Sequence, residues 1–451
     1  MSDAGRGPSV RWAEIIAVGS ELLVPPRLDT NSLVITDCLN DLGIEIRAKT
    51  VVGDRRDDLE STLRAALART ELVVLCGGLG PTDDDLTRDA VAAVLGRRLH
   101  EDADVLRQIR RRFEARGTRM PEINRRQALV PDGAEVVTNA MGTAPGLWIA
   151  HGDCLVLLLP GPPNELKPML ERVVADRLGP IAGDARLHRR ALFVCGLTES
   201  EVDEIASPIY APWLDRAAPI HTTVLAAPGQ VELHLSTRDS SASRAAERLD
   251  AAVAALTAAF GADVFATDGR SLEETLGGLL RARGWRIGIA ESCTGGLISS
   301  RLTDIAGSSD YIIANAVCYS DGSKTAWLGV PDDLIAEHGA VSEPVALAMA
   351  DGIRARTGAE IGVGVTGIAG PSGGSEAKPV GTVAIAAATS TARLVRTFRF
   401  PFARVRVKQF AAQMALDLAR RVVLGADVGR AFVLPQPGPT GVAQAPTRLD
   451  P

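Results

Sequence analysis

Histidine is scarce in this sequence. Six occur in 451 residues. Past residue 271 the only one is His338, in DDLIAEHGAVSE, a segment without any other catalytic signature. A serine nucleophile in that part of the chain would need a base other than imidazole. Cysteine is also sparse: Cys38, Cys76, Cys154, Cys195, Cys293 and Cys318 are scattered with no CxxC pair. That spacing argues against a zinc ribbon and against a disulfide framework, and predicts reduced thiols. Aromatics make up only 4%. There is no excess of basic charge either. A net charge of −6 with interspersed signs gives no general footprint for nucleic acid or an anionic membrane, which leaves small molecules as the default partners. No stretch approaches the ~18 to 20 apolar residues of a membrane span, and the opening MSDAGRGPSVRW lacks an apolar signal core. A cytoplasmic location is expected.

What is present is apolar material in quantity, 46% of the chain, at a length that suggests two or three domains at roughly 150 residues each. Strand-like runs AEIIAVG, IEIRAKTVV, ELVVLCGG and CLVLLLPG alternate with helix-like SLVITDCLNDLG and RDDLESTLRAALART, which predicts a parallel, helix-covered sheet over 11–175. Over 186–265 the pattern changes. RRALFVCG, a helical ESEVDEIA and TTVLAAPGQVELHLSTR, whose two alternating runs flank Pro-Gly, predict a small α+β module with a hairpin. A second layered body is expected over 271–426, with strands RIGIAES, YIIANAVCYS, AEIGVGVTG, GTVAIAAAT and RLVRTFRF and a closing helix. The fold class is thus α/β: two layered α/β/α domains joined by a small α+β domain. The proline-rich stretch at 430–451 is expected to be disordered.

Two constellations carry chemistry. In the first body, CGGLGPTDDDLTRDA places Gly77, Gly78 and Gly80 after a strand, where the backbone can approach a ligand closely, and Asp83, Asp84, Asp85 and Thr87 at the entrance to a helix. One aspartate there would be a helix cap. Three crowded carboxylates fit a divalent cation bridging them to phosphate oxygens about as well as they fit capping. The segments GSELL, DTN, VGD, NAMGTAPG and PGPPNE are expected at the same sheet edge. In the last body three strands end in polar residues: Ser292 in AESCTGG, Tyr319 in AVCYS and Thr366 in GVGVTG. Ser292 or Thr294 alone would read as a helix N-cap, and Cys293 is a rival nucleophile. DGSKTAWLGV puts Lys324 in the first turn of the next helix, and GIAGPSGGSEAKPVGT can wrap a ligand with backbone N–H groups. With no histidine to serve Ser292, the serine and lysine pairing points to Lys324 as base, because burial favours a neutral lysine.

GSELL, DTN, GGLGPTDDDLT, GTAPG and PGPPNE, in that order, resemble the molybdopterin-binding-like domain of the CinA family, and AESCTGG, YS, GVTGIAGP and KPVGTV resemble its deamidase domain. The resemblance covers nearly the whole chain except the tail. For the first domain it implies an ADP-ribose pyrophosphatase that uses a divalent metal (Mg, Mn or Co). Asp54, Asp84 and Asp85 are then metal ligands or water activators, and Gly77, Gly78, Gly80, Thr82, Thr87 and Asn31 bind phosphate. A related fold that binds a pterin without hydrolysis is the rival. For the last domain it implies nicotinamide mononucleotide (NMN) deamidase, needing no cofactor. Ser292 attacks the carboxamide, Lys324 moves protons, Tyr319 orients them, and backbone N–H groups near Thr294, Gly295 and Gly296 hold the oxyanion. Thr366, Gly370, Gly373, Gly374, Lys378 and Arg404 bind the rest of the substrate. A homodimer is expected, and nucleic acid is not, although the family's name suggests a competence-associated DNA-processing partner as an alternative. Two departures stand out: Pro25 and Pro26 follow GSELL-V where relatives commonly have glycine, and Phe402-Ala403 replaces the Gly-Asp that often precedes the arginine.

Overall fold

A computed structural model describes residues 10–429. The tail at 430–451 lies outside the described residues. The chain packs as two compact units, one formed by the chain up to His188 with Arg238–Ala245, the other by Arg189–Thr237 with the chain from Ala246 onward.

The first unit holds strands β1 (Trp12–Val18), β2 (Glu45–Val52), β3 (Leu72–Cys76), β4 (Leu99–Glu101), β5 (Leu129–Pro131), β6 (Glu135–Val137), β7 (Gly146–His151) and β8 (Cys154–Leu159). Its main sheet runs β2-β1-β3-β8-β7-β6, while β4 and β5 pair separately. The four runs read as parallel strands are parallel: β2, β1, β3 and β8. The period of two in a strand explains why β3 is apolar throughout. Val73 and Leu75 pack with helices Arg56–Leu67 and Thr87–Val94 on one face, and Leu72, Val74 and Cys76 with helices Asn31–Asp41 and Pro163–Val173 on the other. Complete burial of such side chains contributes about 1.5–3 kcal/mol each. The antiparallel edge, β7 and β6, was not anticipated. β6 is three residues long, and the β7–β8 turn is only Gly152-Asp153, so neither breaks the apolar pattern visibly.

The second unit carries most of β9 (Arg186–Cys195), β10 (His221–Ala227), most of β11 (Gln230–Asp239) and β12 (Val264–Ala266), in a sheet ordered β10-β11-β9-β12. The expected hairpin is present: β10 and β11 are antiparallel about Pro228 and Gly229, the latter at φ 78°. Cys195, Phe265 and Ala266 of this sheet share one core with the last body. There β13 (Ile287–Glu291), β14 (Ile312–Val317), β15 (Ile361–Gly367), β16 (Thr382–Ala388) and β17 (Arg393–Arg399) form a sheet ordered β14-β13-β15-β16-β17. The first three are parallel and the last two antiparallel. The alternation in TVAIAAA again separates two faces. Val383, Ile385 and Ala387 meet the core of helix Arg404–Leu424, and Ala384, Ala386 and Ala388 give helix Glu343–Thr357 a close seat. This arrangement brings the carboxyl ends of β13, β14 and β15 side by side, the edge at which open α/β sheets bind ligands.

Candidate active sites at two sheet edges

Register fixes the first site. Glu291 pairs with Val317 on one side and Val365 on the other, so Ser292, Cys318 and Thr366 are the next residues on three adjacent parallel strands. The Ser292 N–H donates to Val365 O at 2.9 Å, and Cys318 N–H to Glu291 O at 2.8 Å. Beyond Ser292 the chain turns through Gly295 (φ 62°) and Gly296 (φ 91°) into helix Leu297–Thr303. That left-handed pair favours glycine. Neither Ser292 nor Thr294 caps this helix; the N-cap is Gly296, with no side-chain cap bond. The capping acceptor is Glu291, which the sequence reading passed over. Its fully buried carboxylate accepts from Gly296 N–H (2.9 Å), Ile298 N–H (3.2 Å), Ser299 N–H (2.9 Å) and the Ser299 hydroxyl (2.6 Å). The N–H groups of Gly296 and Gly295 are therefore committed, the latter to Ser292 O. That of Thr294 has no acceptor among the described residues, and that of Cys293 has only its own thiol. Glu291→Ala would leave three backbone donors without an acceptor and should lower stability by about 3 kcal/mol, read as a lower urea midpoint at unchanged m-value.

Cys293 turns the other way. Its side chain lies in the core, where a Cβ added to Gly367 would come 2.9 Å from its sulfur, and burial pushes the thiol up to about 12. It is thereby a packed thiol, unsuited to attack at neutral pH. Lys324 sits on helix Asp321–Leu328, capped by Ser320, and is the one buried lysine among the described residues, 2% exposed. Its Nζ donates to Tyr319 O (3.3 Å) and Asp321 Oδ1 (3.2 Å). Neither bond reaches Ser292. Tyr319 is exposed, and its hydroxyl accepts from Arg404 Nη2 at 2.8 Å, while Arg404 Nη1 donates to Gly370 O at 2.8 Å. The arginine is therefore joined to both Tyr319 and the glycine-rich loop despite Phe402-Ala403. Two residues read as ligand contacts have other partners. Thr366 donates its hydroxyl to Ala340 O (2.8 Å), and Lys378 Nζ donates to His338 O (2.6 Å), so both tie down the loop around residue 339. Gly370 (φ 81°) and Gly374 fold the loop against Val380, and Gly373 has φ 90°. His338 is exposed and pairs with Glu337.

The second site is a cavity of about 340 Å³ at the carboxyl ends of β1, β2, β3 and β8. Gly77, Gly78, Gly80, Thr82, Asp54, Asp84 and Asp85 all line it, as the sequence suggested, joined by Glu21, Gln127, Thr143 and Glu165. The carboxylates are largely occupied. Asp85 Oδ1 accepts from Gly80 N–H (2.8 Å) and Oδ2 from Thr82 N–H (2.9 Å) and hydroxyl (2.6 Å). Asp54 Oδ2 accepts from Ser20 N–H at 2.7 Å. Among the described residues no group of three or more carboxylate, imidazole or thiol side chains is arranged to hold a metal ion. Asp54, Asp84 and Asp85 thus share a cavity without forming a ligand set. Thr87, expected at phosphate, is fully buried and donates to Gly77 O at 2.8 Å. Asn31 donates to Gly161 O at 2.6 Å and lines a neighbouring cavity of about 470 Å³. Arg88 was missed. Buried beneath the loop, it donates to Leu79 O (2.8 Å) and Gly80 O (3.2 Å), and burial pushes its guanidinium down to about 10. Its signal was the arginine inside DDDLTRDA, hidden by the acidic run around it.

Residues 269–423 match the family described as CinA C-terminal domain, and residues 14–180 that described as probable molybdopterin binding domain. A CinA-like protein of Koribacter versatilis is 45% identical over 416 residues, covering 91% of this chain and all of that protein. A putative competence-damage inducible protein of Symbiobacterium thermophilum is 42% identical over 92% of this chain and 99% of its own. The solved structure of a competence/damage inducible protein from Agrobacterium tumefaciens is 37% identical, covers 34% of this chain and 93% of its own, and gives a TM-score of 0.33. No helix among the described residues is long and apolar enough to cross a membrane. With relatives of this identity aligned along nine-tenths of its length, the chain belongs to the CinA family.

Proposed function

We propose that the C-terminal part of this chain is an amidohydrolase that converts NMN and water into nicotinate mononucleotide and ammonia. The observation that carries this reading is Ser292 at the end of β13, with Cys293 turned into the core and the N–H groups of Cys293 and Thr294 claimed by no other residue among those described. The Ser292 oxygen attacks the carboxamide carbon while its proton passes to Lys324 as the base. These two N–H groups take the oxyanion. Collapse breaks the C–N bond, the lysine returns the proton to the departing nitrogen, and ammonia leaves. Water then attacks the ester, gives its proton to Lys324 and restores the serine hydroxyl. Tyr319, bonded to Arg404, orients the substrate at the rim. The test is ammonia release from NMN and from free nicotinamide: the reading expects turnover of NMN, and turnover of neither would end it.

The glycine-lined cavity of the first unit supports a second activity, hydrolysis of ADP-ribose to AMP and ribose 5-phosphate with a divalent metal. The backbone N–H groups of Gly78 and Leu79, which have no acceptor among the described residues, are suited to a diphosphate, while those of Gly77 and Gly80 are held by Leu159 O and Asp85. The carboxylates among the described residues do not make a metal-ligand set by themselves. Asp85 instead holds the phosphate loop. Asp85→Asn keeps one acceptor and turns an amide toward the Thr82 donors, so ADP-ribose hydrolysis should fall roughly tenfold to a hundredfold, the equivalent of about 1–3 kcal/mol. NMN deamidation by the same variant should be unchanged. Parallel product assays by chromatography, with and without excess chelator, check both the loop role and the metal requirement.

A further inference from the structure

Helix Arg404–Leu424 begins badly for a helix. Ala403 is its N-cap and supplies no side-chain bond, no acidic residue lies in its first turn, and Arg404, Arg406 and Lys408 crowd its positive end. Cations there oppose the helix dipole, and like charges four residues apart repel. Arg406 is accounted for, lying over the Phe402 and Phe410 rings. Arg404 and Lys408, one turn apart, are not neutralised. Arg404 bonds only to neutral partners, Gly370 O and the Tyr319 hydroxyl, and Lys408 has no carboxylate partner among the described residues. Both face the catalytic turn: a Cβ added at Gly295 would lie 3.6 Å from Lys408 Nζ, and both positive charges act on the Cys293 thiol. The nearer anion site, the N-terminus of helix Leu297–Thr303, is already filled by Glu291.

We propose that Lys408, with Arg404, forms the subsite for the phosphomonoester of the substrate, and that Lys408 determines preference for a phosphorylated nucleoside over the nucleoside. This rests on the deamidase reading and places the phosphate at the face of the last helix. Arg404 supplies a directed fork and Lys408 a point charge beside Gly295, and the dianion offsets the repulsion between them.

The experiment has two arms on the full chain. In the first, NMN and nicotinamide riboside are compared as substrates for the parent, Lys408→Met and Lys408→Arg. Lys408→Met should raise KM for NMN roughly tenfold to a hundredfold, as expected for losing one charge-assisted bond, with kcat nearly unchanged and the riboside unaffected. Lys408→Arg should restore most of the affinity. An equal loss on both substrates would assign Lys408 to packing and overturn the proposal. In the second arm, Lys408 is reductively methylated with ribose 5-phosphate, with ribose, or with neither present, and its labelling is read by peptide mass spectrometry. Protection by ribose 5-phosphate alone is expected, and equal labelling in all three overturns the subsite. Because the second arm needs no turnover, a protein that deamidates nothing would end the deamidase reading while the phosphate subsite stood or fell on the labelling.

Discussion

Ser292→Ala should lower the rate of ammonia release from NMN by about 10⁴-fold or more, the usual cost of removing a nucleophile, with KM changed by a few-fold at most. The fold should hold. Ser292 enters the strand ladder through its backbone N–H, and its hydroxyl has no hydrogen-bond partner among the described residues. Cys293→Ala should behave in the opposite way. It removes a sulfur packed among Val383 and the end of β15, so stability falls while turnover per folded molecule stays near that of the parent. Steady-state ammonia assays beside urea melts separate the two. A Cys293→Ala protein that is stable and inactive would reverse the assignment of nucleophile.

Lys324→Arg should be nearly as damaging as Lys324→Ala, each losing roughly 10² to 10⁴-fold in kcat, the usual contribution of a positioned acid–base group. A guanidinium keeps the charge but does not give up its proton in proteins, so it cannot take one from serine. If Lys324 served only as a positive charge near the substrate, arginine would rescue much of the rate. The site is tight, since Lys324 is 2% exposed and bonded to Tyr319 O and Asp321. Lys324→Met, with similar volume, therefore belongs in the series, with urea midpoints for all three. A folded Lys324→Arg enzyme with robust turnover would contradict the base and leave Tyr319 as the next partner of Ser292.

The strands carrying the sites were legible because buried strands announce themselves as mostly apolar runs, and β1, β3, β8, β13 and β15 are of that kind. The short β6 and β7, continuous with their turn, left no such boundary. Site residues were legible to the extent that each ends a strand or follows a glycine turn, which is how Ser292, Asp54 and the residues 77–80 were found. What a side chain then bonds to is a tertiary matter. Thr87, Thr366 and Lys378 have the chemistry of ligand contacts but are spent on carbonyls of the protein itself. Glu291 and Arg88 went unnoticed for the opposite reason. A charged residue within an apolar strand or an acidic run gives no sign, in one dimension, of the buried donors and acceptors it will meet.

The central claim, that Ser292 forms a covalent bond with the NMN carboxamide carbon, is tested most directly by mixing the purified chain with NMN, quenching in acid within milliseconds, and measuring peptide masses. The account predicts an adduct equal to NMN less ammonia on the peptide carrying Ser292, absent from Ser292→Ala, and nicotinate mononucleotide with ammonia in the supernatant. Formation of those products with no adduct at any quench time, or with the adduct on another residue, would contradict it.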